Sequence, residues 1–542
     1  MKKALFLTLV IFLFSCHTRR KADLVIYNAT VYSVDADFST AEAFAVKDGK
    51  IVAVGTTAEI NKEFEAKEKL DAEGKFIYPG FIDAHAHFFG YGLGLQTANL
   101  IGTESWEEVI ERVNAFAVDH QEGWLIGRGW DQNDWGTKVF PTKESLDELF
   151  PDRPVLLKRV DGHAAIANQK ALDIAGVKAG NKISGGIIEV KNNKLTGILV
   201  DNAVDLVATM VPQPDASQKA NGLLDAQKNC FGVGLTTIDD CGLDYEQMLF
   251  IDSLQKAGAL KMRLYVMLSD AQKNFDYLFG KGKIKTDRLN VRSFKVYADG
   301  ALGSRGACLL QPYSDHHEHY GFLLSNTAHF DSVARMIYDN GFQMCTHAIG
   351  DSGNRTMLKI YADYLKGKND LRWRIEHAQV VNEKDFALFG RYNIIPSVQP
   401  THATSDMYWA GDRLGKEREK GAYAYKQLLE QNGWLPLGTD FPVEDISPLK
   451  TFCAAVFRKD AIGFPENGYQ IENALTRKEA LRGMTIWAAK SNFEEHGKGS
   501  IEKGKFADFI ILDKDLMKET PENILGIQVL KTYLNGEKVF ER

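Results

Sequence analysis

The sequence predicts an α/β chain built on a (β/α)8, TIM-like barrel. A small β-sandwich formed by both chain ends and a long insertion after barrel strand one accompany it. Three observations predict this. Short apolar runs alternate with helical stretches through the middle of the chain, the pattern of parallel strands joined by crossover helices. Both ends carry alternating, β-branched-rich runs broken by Asp-Gly or Asn-Gly, a hairpin signature. Finally, roughly 140 residues separate the first two barrel runs, far more than a βα connection needs.

The N-terminus reads as a targeting segment. Lys2 and Lys3 precede an apolar run over residues 4–14, and Cys16 follows Ser15. Residues 1–16 are expected to be a lipoprotein-type signal peptide, with Cys16 acylated. The alternative is an ordinary signal peptide with a chance cysteine. The expected location is the bacterial cell envelope, with membrane contact only through a lipid anchor. Residues 23–34, the Asp48-Gly49 turn and residues 50–55 begin the sandwich; residues 508–513, 529–534 and 538–540, with Asn535-Gly536, complete it. Its expected bounds are 23–78 and 497–542, since chain ends commonly meet.

Eight runs serve as barrel strands: residues 81–85, 234–238, 262–268, 293–297, 343–347, 372–377, 394–399 and 435–440. The barrel is expected over 79–496, with the insertion at about 95–230. The insertion has strand-like runs of its own at 123–127, 154–157 and 185–190. Composition sets outer limits. Hydrophobic residues make up 44% and charged residues 25%, as in globular proteins, and the net charge of −7 argues against a nucleic-acid partner. Beyond Cys16 the five cysteines, Cys230, Cys241, Cys308, Cys345 and Cys453, form neither a C-x-x-C pair nor an even set. They read as small buried filler, not as a disulfide framework.

Five of the expected strands end in a residue able to hold a cation, and barrels gather such residues at one face. His85-Ala-His87 comes first. Residues two apart on a strand share a face, so both imidazoles can grip one ion. His347 and His377 end two later strands, although either alone would pass for a satisfied core histidine. Together the four supply enough nitrogen for zinc. Asp440, in LGTDFP, can touch a metal and accept a proton from its water, or it can simply cap a turn. Lys295 lies inside an apolar strand, where an ammonium is costly unless paired or altered. A carbamate formed with carbon dioxide would make it an oxygen ligand; a salt bridge to Asp299 is the alternative.

The order HxH, Lys, His, His, Asp resembles the amidohydrolase superfamily. Its finer wording is similar to the subgroup that includes N-substituted formamide deformylases. The stretches YPGFIDAHAHF, RVDGHAAIAN, KVYADGALGSR, THAIGDSGN, RIEHAQ, SVQPTHATSD, LGTDFPVE and GKGSIEKGKFADFIILD carry the resemblance. It implies a divalent metal, usually zinc and one or two ions, held by His85, His87, carbamylated Lys295, His347 and His377. Asp440 is then a further ligand and the base. The implied reaction is metal-activated hydroxide attack on a non-peptide amide, an N-acyl or N-formyl amine. Cyclic amide opening or ester cleavage remains open on the same centre, and a non-catalytic, metal-braced surface lipoprotein is the distant rival. The expected partner is a small-molecule amide, with a homodimer left open.

Softer readings follow. His163, in the insertion, is divided evenly between loop structure and donation to a substrate carbonyl oxygen. Trp130, Asp299, Arg305 and His402 are candidate pocket liners, with Trp130 and Trp409 as an aromatic wall. Asp351 reads as a cap or as a residue orienting a ligand. The glycine-rich ADGALGSRG lacks the lysine-serine ending of a phosphate loop.

Overall fold

The protein is described by a computed structural model over residues 19–542. The expected signal peptide and Cys16 lie outside the described residues. Among the described residues no helix is long and apolar enough to cross a membrane.

Seven strands pair in parallel and in chain order: Phe81–Ala86, Leu235–Leu243, Arg263–Ser269, Leu289–Tyr297, Gln343–Ala348, Arg374–His377 and Ile395–Ser397. Strand one is buried along its whole length, as a barrel staves both its faces against side chains. The eighth expected strand, residues 435–440, is a hydrogen-bonded ribbon and not a regular strand. It bridges Val398 through Leu437 and closes on strand one, where Ala84 N–H donates to the Leu437 carbonyl at 3.1 Å and Asp440 N–H to that of His85 at 2.8 Å. Asp83 clips this seam. Its carboxylate accepts Thr439 N–H at 2.9 Å and the Thr439 hydroxyl at 2.7 Å. Gly438 lets the ribbon pass that close, because a Cβ there would lie 2.6 Å from the His85 nitrogen.

The chain ends build two sheets. Arg20–Tyr27, Ala43–Lys47, Lys50–Gly55 and Phe64–Asp71 form one. The other interleaves Thr30–Tyr32, Thr40–Ala41 and Phe76–Pro79 with Phe509–Leu512, Val529–Leu534 and Glu537–Glu541. The Asp-Gly turn adopts positive φ at both residues, 49° and 74°, which suits a tight hairpin. Leu24, Ile26, Phe44, Ile77, Phe509 and Ile511 share the core between the sheets.

The insertion carries a six-stranded sheet in the order Gly186–Lys191, Lys194–Asp201, Ala164–Ala167, Val155–Arg159, Leu125–Trp130, Ala98–Asn99. It has its own apolar core, with Leu100, Val109, Trp130, Leu157 and Ile166 at its centre. Helix Ala216–Gly232 then leads back to barrel strand two. The five described cysteines are unpaired; four are buried and Cys308 is half-buried.

Candidate metal centre

Barrel strands one, four, five, six and the closing ribbon bring His87, Lys295, His347, His377 and Asp440 to one cavity of about 400 Å³, with His85 buried directly behind them. Ligand atoms of His85, His377 and Asp440 lie within 4.8 Å of one another. The His85 ring stands 4.7 Å from that of His377, and His377 stands 4.6 Å from His347. The Lys295 Nζ lies 3.1 Å from His85 Nε2. Asp440 Oδ1 is 3.2 Å from His87 Nε2 and 3.5 Å from His85 Nε2.

Each imidazole is tied back through the nitrogen that faces away. His85 Nδ1 meets Glu376 Oε2 at 2.6 Å, His87 Nδ1 the Cys241 carbonyl at 3.1 Å, and His377 Nδ1 Gln399 Oε1 at 2.8 Å. His347 is turned the other way, its Nε2 facing the Gly300 carbonyl at 3.5 Å, which leaves Nδ1 for a ligand. Such tethers fix ring tautomer and aim. Burial pushes His85 down to about 4 and holds His347 and His377 well below the usual histidine range, with Lys295 adding to the effect. Neutral imidazoles are the form that binds metal.

The residues fit a cation on two independent grounds. Asp440 Oδ1 is buried and has no hydrogen-bond partner among the described residues, a cost that a metal would remove. The donor set of imidazole nitrogens with one carboxylate also suits zinc. Burial opposes the Asp440 charge, but the bond from His402 and the nearness of the His87 imidazole outweigh it and hold the carboxylate ionised. His402 Nε2 meets Asp440 Oδ2 at 3.2 Å while its Nδ1 meets Glu444 at 2.9 Å. Those two carboxylates keep His402 charged despite its burial. The Lys295–Asp299 salt bridge does not form.

His163 reaches the same cavity from the insertion, its ring 5.1 Å from that of His347. Its Nδ1 is held by Asp201 Oδ1 at 2.6 Å. Burial works against its charge, yet Asp201 and Asp161 raise its pKa and so favour the protonated ring. His402 and Trp409 also line the cavity.

Three expectations are corrected. Trp130 does not form a wall; it is fully buried in the insertion core and its indole N–H donates to the Leu157 carbonyl at 2.9 Å. Asp299 does not line the cavity either. It accepts the N–H groups of Cys308 at 2.8 Å, Ile349 at 3.0 Å and Gly350 at 2.8 Å, and so braces the backbone that follows His347. Arg305 pairs with Asp315 at 2.8 Å in an outlying loop. Asp351 accepts Leu310 N–H at 2.9 Å, which ties that loop to the first turn of helix Asp351–Leu365. Sequence reasoning missed Glu376, Gln399 and Asp201, the three side chains that hold His85, His377 and His163. The Glu-His pair inside RIEHAQ was the one available signal.

Comparison with known proteins agrees with this geometry. The model of the amidohydrolase family matches residues 68–540. The chain is 32% identical over 539 residues to the Protein LONG AFTER FAR-RED 3 of Arabidopsis thaliana, covering 96% of this chain and 92% of that one. It is 28% identical to an N-substituted formamide deformylase of Arthrobacter pascens, covering 96% and 98%. Among solved structures, an uncharacterized metal-dependent hydrolase from Pyrococcus horikoshii superposes with a TM-score of 0.75 at 25% identity, over 92% of this chain and 99% of that one.

Proposed function

We propose, since this chain belongs to the amidohydrolase family and is a metal-dependent hydrolase, that it cleaves the carbon–nitrogen bond of a non-peptide amide, an N-acyl or N-formyl amine. The observation that carries this reading is the unpartnered Asp440 Oδ1 beside the neutral imidazoles of His85 and His377, with His347 next to them. The likeness to the Arthrobacter deformylase supports the choice of bond.

His85, His87, His347, His377, Asp440 and Lys295 would hold a divalent cation, zinc in this proposal, and it would supply Lewis acidity toward water and the substrate carbonyl. Lys295 joins that set as a carbamate, its neutral amine adding carbon dioxide and releasing one proton. Glu376 and Gln399 hold His85 and His377 in a fixed tautomer. Asp440 accepts the proton of the attacking water and returns it to the leaving nitrogen. The cation of His402 orients the Asp440 carboxylate through Oδ2. His163, kept protonated by Asp201, donates its free N–H to the carbonyl oxygen as charge develops there. The C–N bond breaks, a C–O bond forms, and a carboxylic acid and an amine leave.

The test begins with metal analysis of the purified chain, followed by N-formyl and N-acetyl aryl amines offered with zinc and bicarbonate. Release of the free amine, lost on dialysis against a chelator and restored by zinc, is expected. Cleavage of aryl esters with no cleavage of any amide would overturn the assignment of the bond. Incubation with ¹³C-bicarbonate should give a carbamate carbon signal that disappears in Lys295→Ala.

A further inference from the structure

Above the imidazoles, six carboxylates line the cavity, Asp131, Asp134, Asp161, Asp406, Glu444 and Asp445, against two permanent cations, Arg159 and Lys450. Four of the six are accounted for. Arg159 pairs with both Asp131 and Asp161, Lys450 with Asp445 at 2.8 Å, and His402 with Glu444 at 2.9 Å. Asp134 and Asp406 remain, and neither makes an ion pair among the described residues. Asp406 is met only by neutral donors, the Tyr423 hydroxyl at 2.7 Å and the Gln379 amide at 3.2 Å, both on its Oδ2. Asp134 ends the short turn Gln132–Asp134 at the rim, where no hydrogen bond relieves its carboxylate.

Asp134 stands exposed at the cavity mouth, while Asp406 is half-buried, and burial with Glu444 and Asp131 close by pushes it up to about 7 against the pull of His402. A metal on the imidazoles would not relieve them, because neither carboxylate belongs to that cluster. The hydrolytic reading brings a substrate into this cavity, where Asp134 and Asp406 share the lining with Asp440. Trp409 and Tyr297 give the walls their aromatic surface.

We propose that the substrate is a cationic amide, carrying an ammonium or guanidinium group that rests beside Asp134 and Asp406 while its acyl carbon lies at the Asp440 end. This rests on the hydrolytic reading above and narrows it. A charge-matched group gains attraction from two carboxylates that a neutral substrate would leave without an ion pair, and anionic amides are repelled.

The test uses two anilides of one shape, 4-acetamido-N,N,N-trimethylanilinium and 4-tert-butylacetanilide, which differ by a single charge. With the zinc-loaded chain, kcat/KM should favour the cation by at least about tenfold, the scale of electrostatic focusing in a charged cleft. Asp134→Asn and Asp406→Asn should each lower that ratio, and the pair together should bring it near unity. Asp134→Asn keeps the test sound even if Asp406→Asn folds poorly, because Asp134 is exposed. A wild-type ratio of one, or a ratio unmoved by Asp134→Asn, overturns the inference. Calorimetric titration with both anilides reads the same preference without turnover. Tighter binding of the cation, weakened by Asp134→Asn, upholds it even if neither anilide is cleaved, and that result would remove the hydrolytic reading alone. Equal binding of the two overturns it.

Discussion

His377 and Asp440 leave their strands with φ of 72° and 66°, a region that costs a non-glycine residue on the order of 1–3 kcal/mol. The consequence at His377 is specific. Neighbours on a strand normally face opposite ways, yet Glu376 touches His85 and the His377 ring also stands beside it. The turned backbone lets ligand and tether come from adjacent positions. Asp440→Asn should therefore lower kcat by about 10²- to 10⁴-fold while metal content stays near wild type; undiminished turnover would dismiss its role as base. Glu376→Gln should weaken metal binding by about 10- to 100-fold in a chelator competition. The ligand-type residues were legible because each lies in or at the end of an apolar run. Glu376, Gln399 and Asp201 were not, because their partners lie far off in the chain, and only strand register brings them together.

At the scale of elements the insertion is the instructive case. Its strands were visible as apolar runs, but the direction of Trp130 was not. The pairing of Leu125–Trp130 with Val155–Arg159 slips between Arg128 and Trp130, and Gly129 takes a φ of 119°. That bulge turns the indole into the insertion core and leaves Gly129 and Asp131 on the cavity wall. A period-two reading cannot foresee an added residue. Trp130→Ala should cost about 3–5 kcal/mol, the usual range for emptying a core aromatic site. Hydrogen exchange should show the loss first in amides of the insertion sheet; an effect confined to barrel amides would contradict this packing. The closing ribbon is a second case. Residues 435–440 read as a strand, and they close the barrel, but Leu437 N–H is spent on the Gly483 carbonyl and the ladder stays short.

Across the whole molecule a buried polar contact fastens the terminal sheets to the barrel: Arg263, on barrel strand three, meets Asp508 at 2.7 Å. Within the terminal sheet, Tyr32 and Tyr78 both donate to Asp515 at 3.0 Å. Asp508→Ala would strand the Arg263 guanidinium, and chemical denaturation should register a loss of about 3–5 kcal/mol. An unchanged midpoint would mean that the sheets are held by apolar packing alone. The meeting of the two ends was legible from their shared texture. Their division into two sheets was not, because it depends on Phe76–Pro79 pairing with Phe509–Leu512 across nearly the full chain. The seam held by Asp83 has a further consequence for how the protein matures. His85 and Asp440 face each other only once the last stave has been laid beside the first, so every partially made or partially folded chain carries scattered imidazoles in place of a binding site. A metal held between His85 and Asp440 would therefore require the closed barrel first.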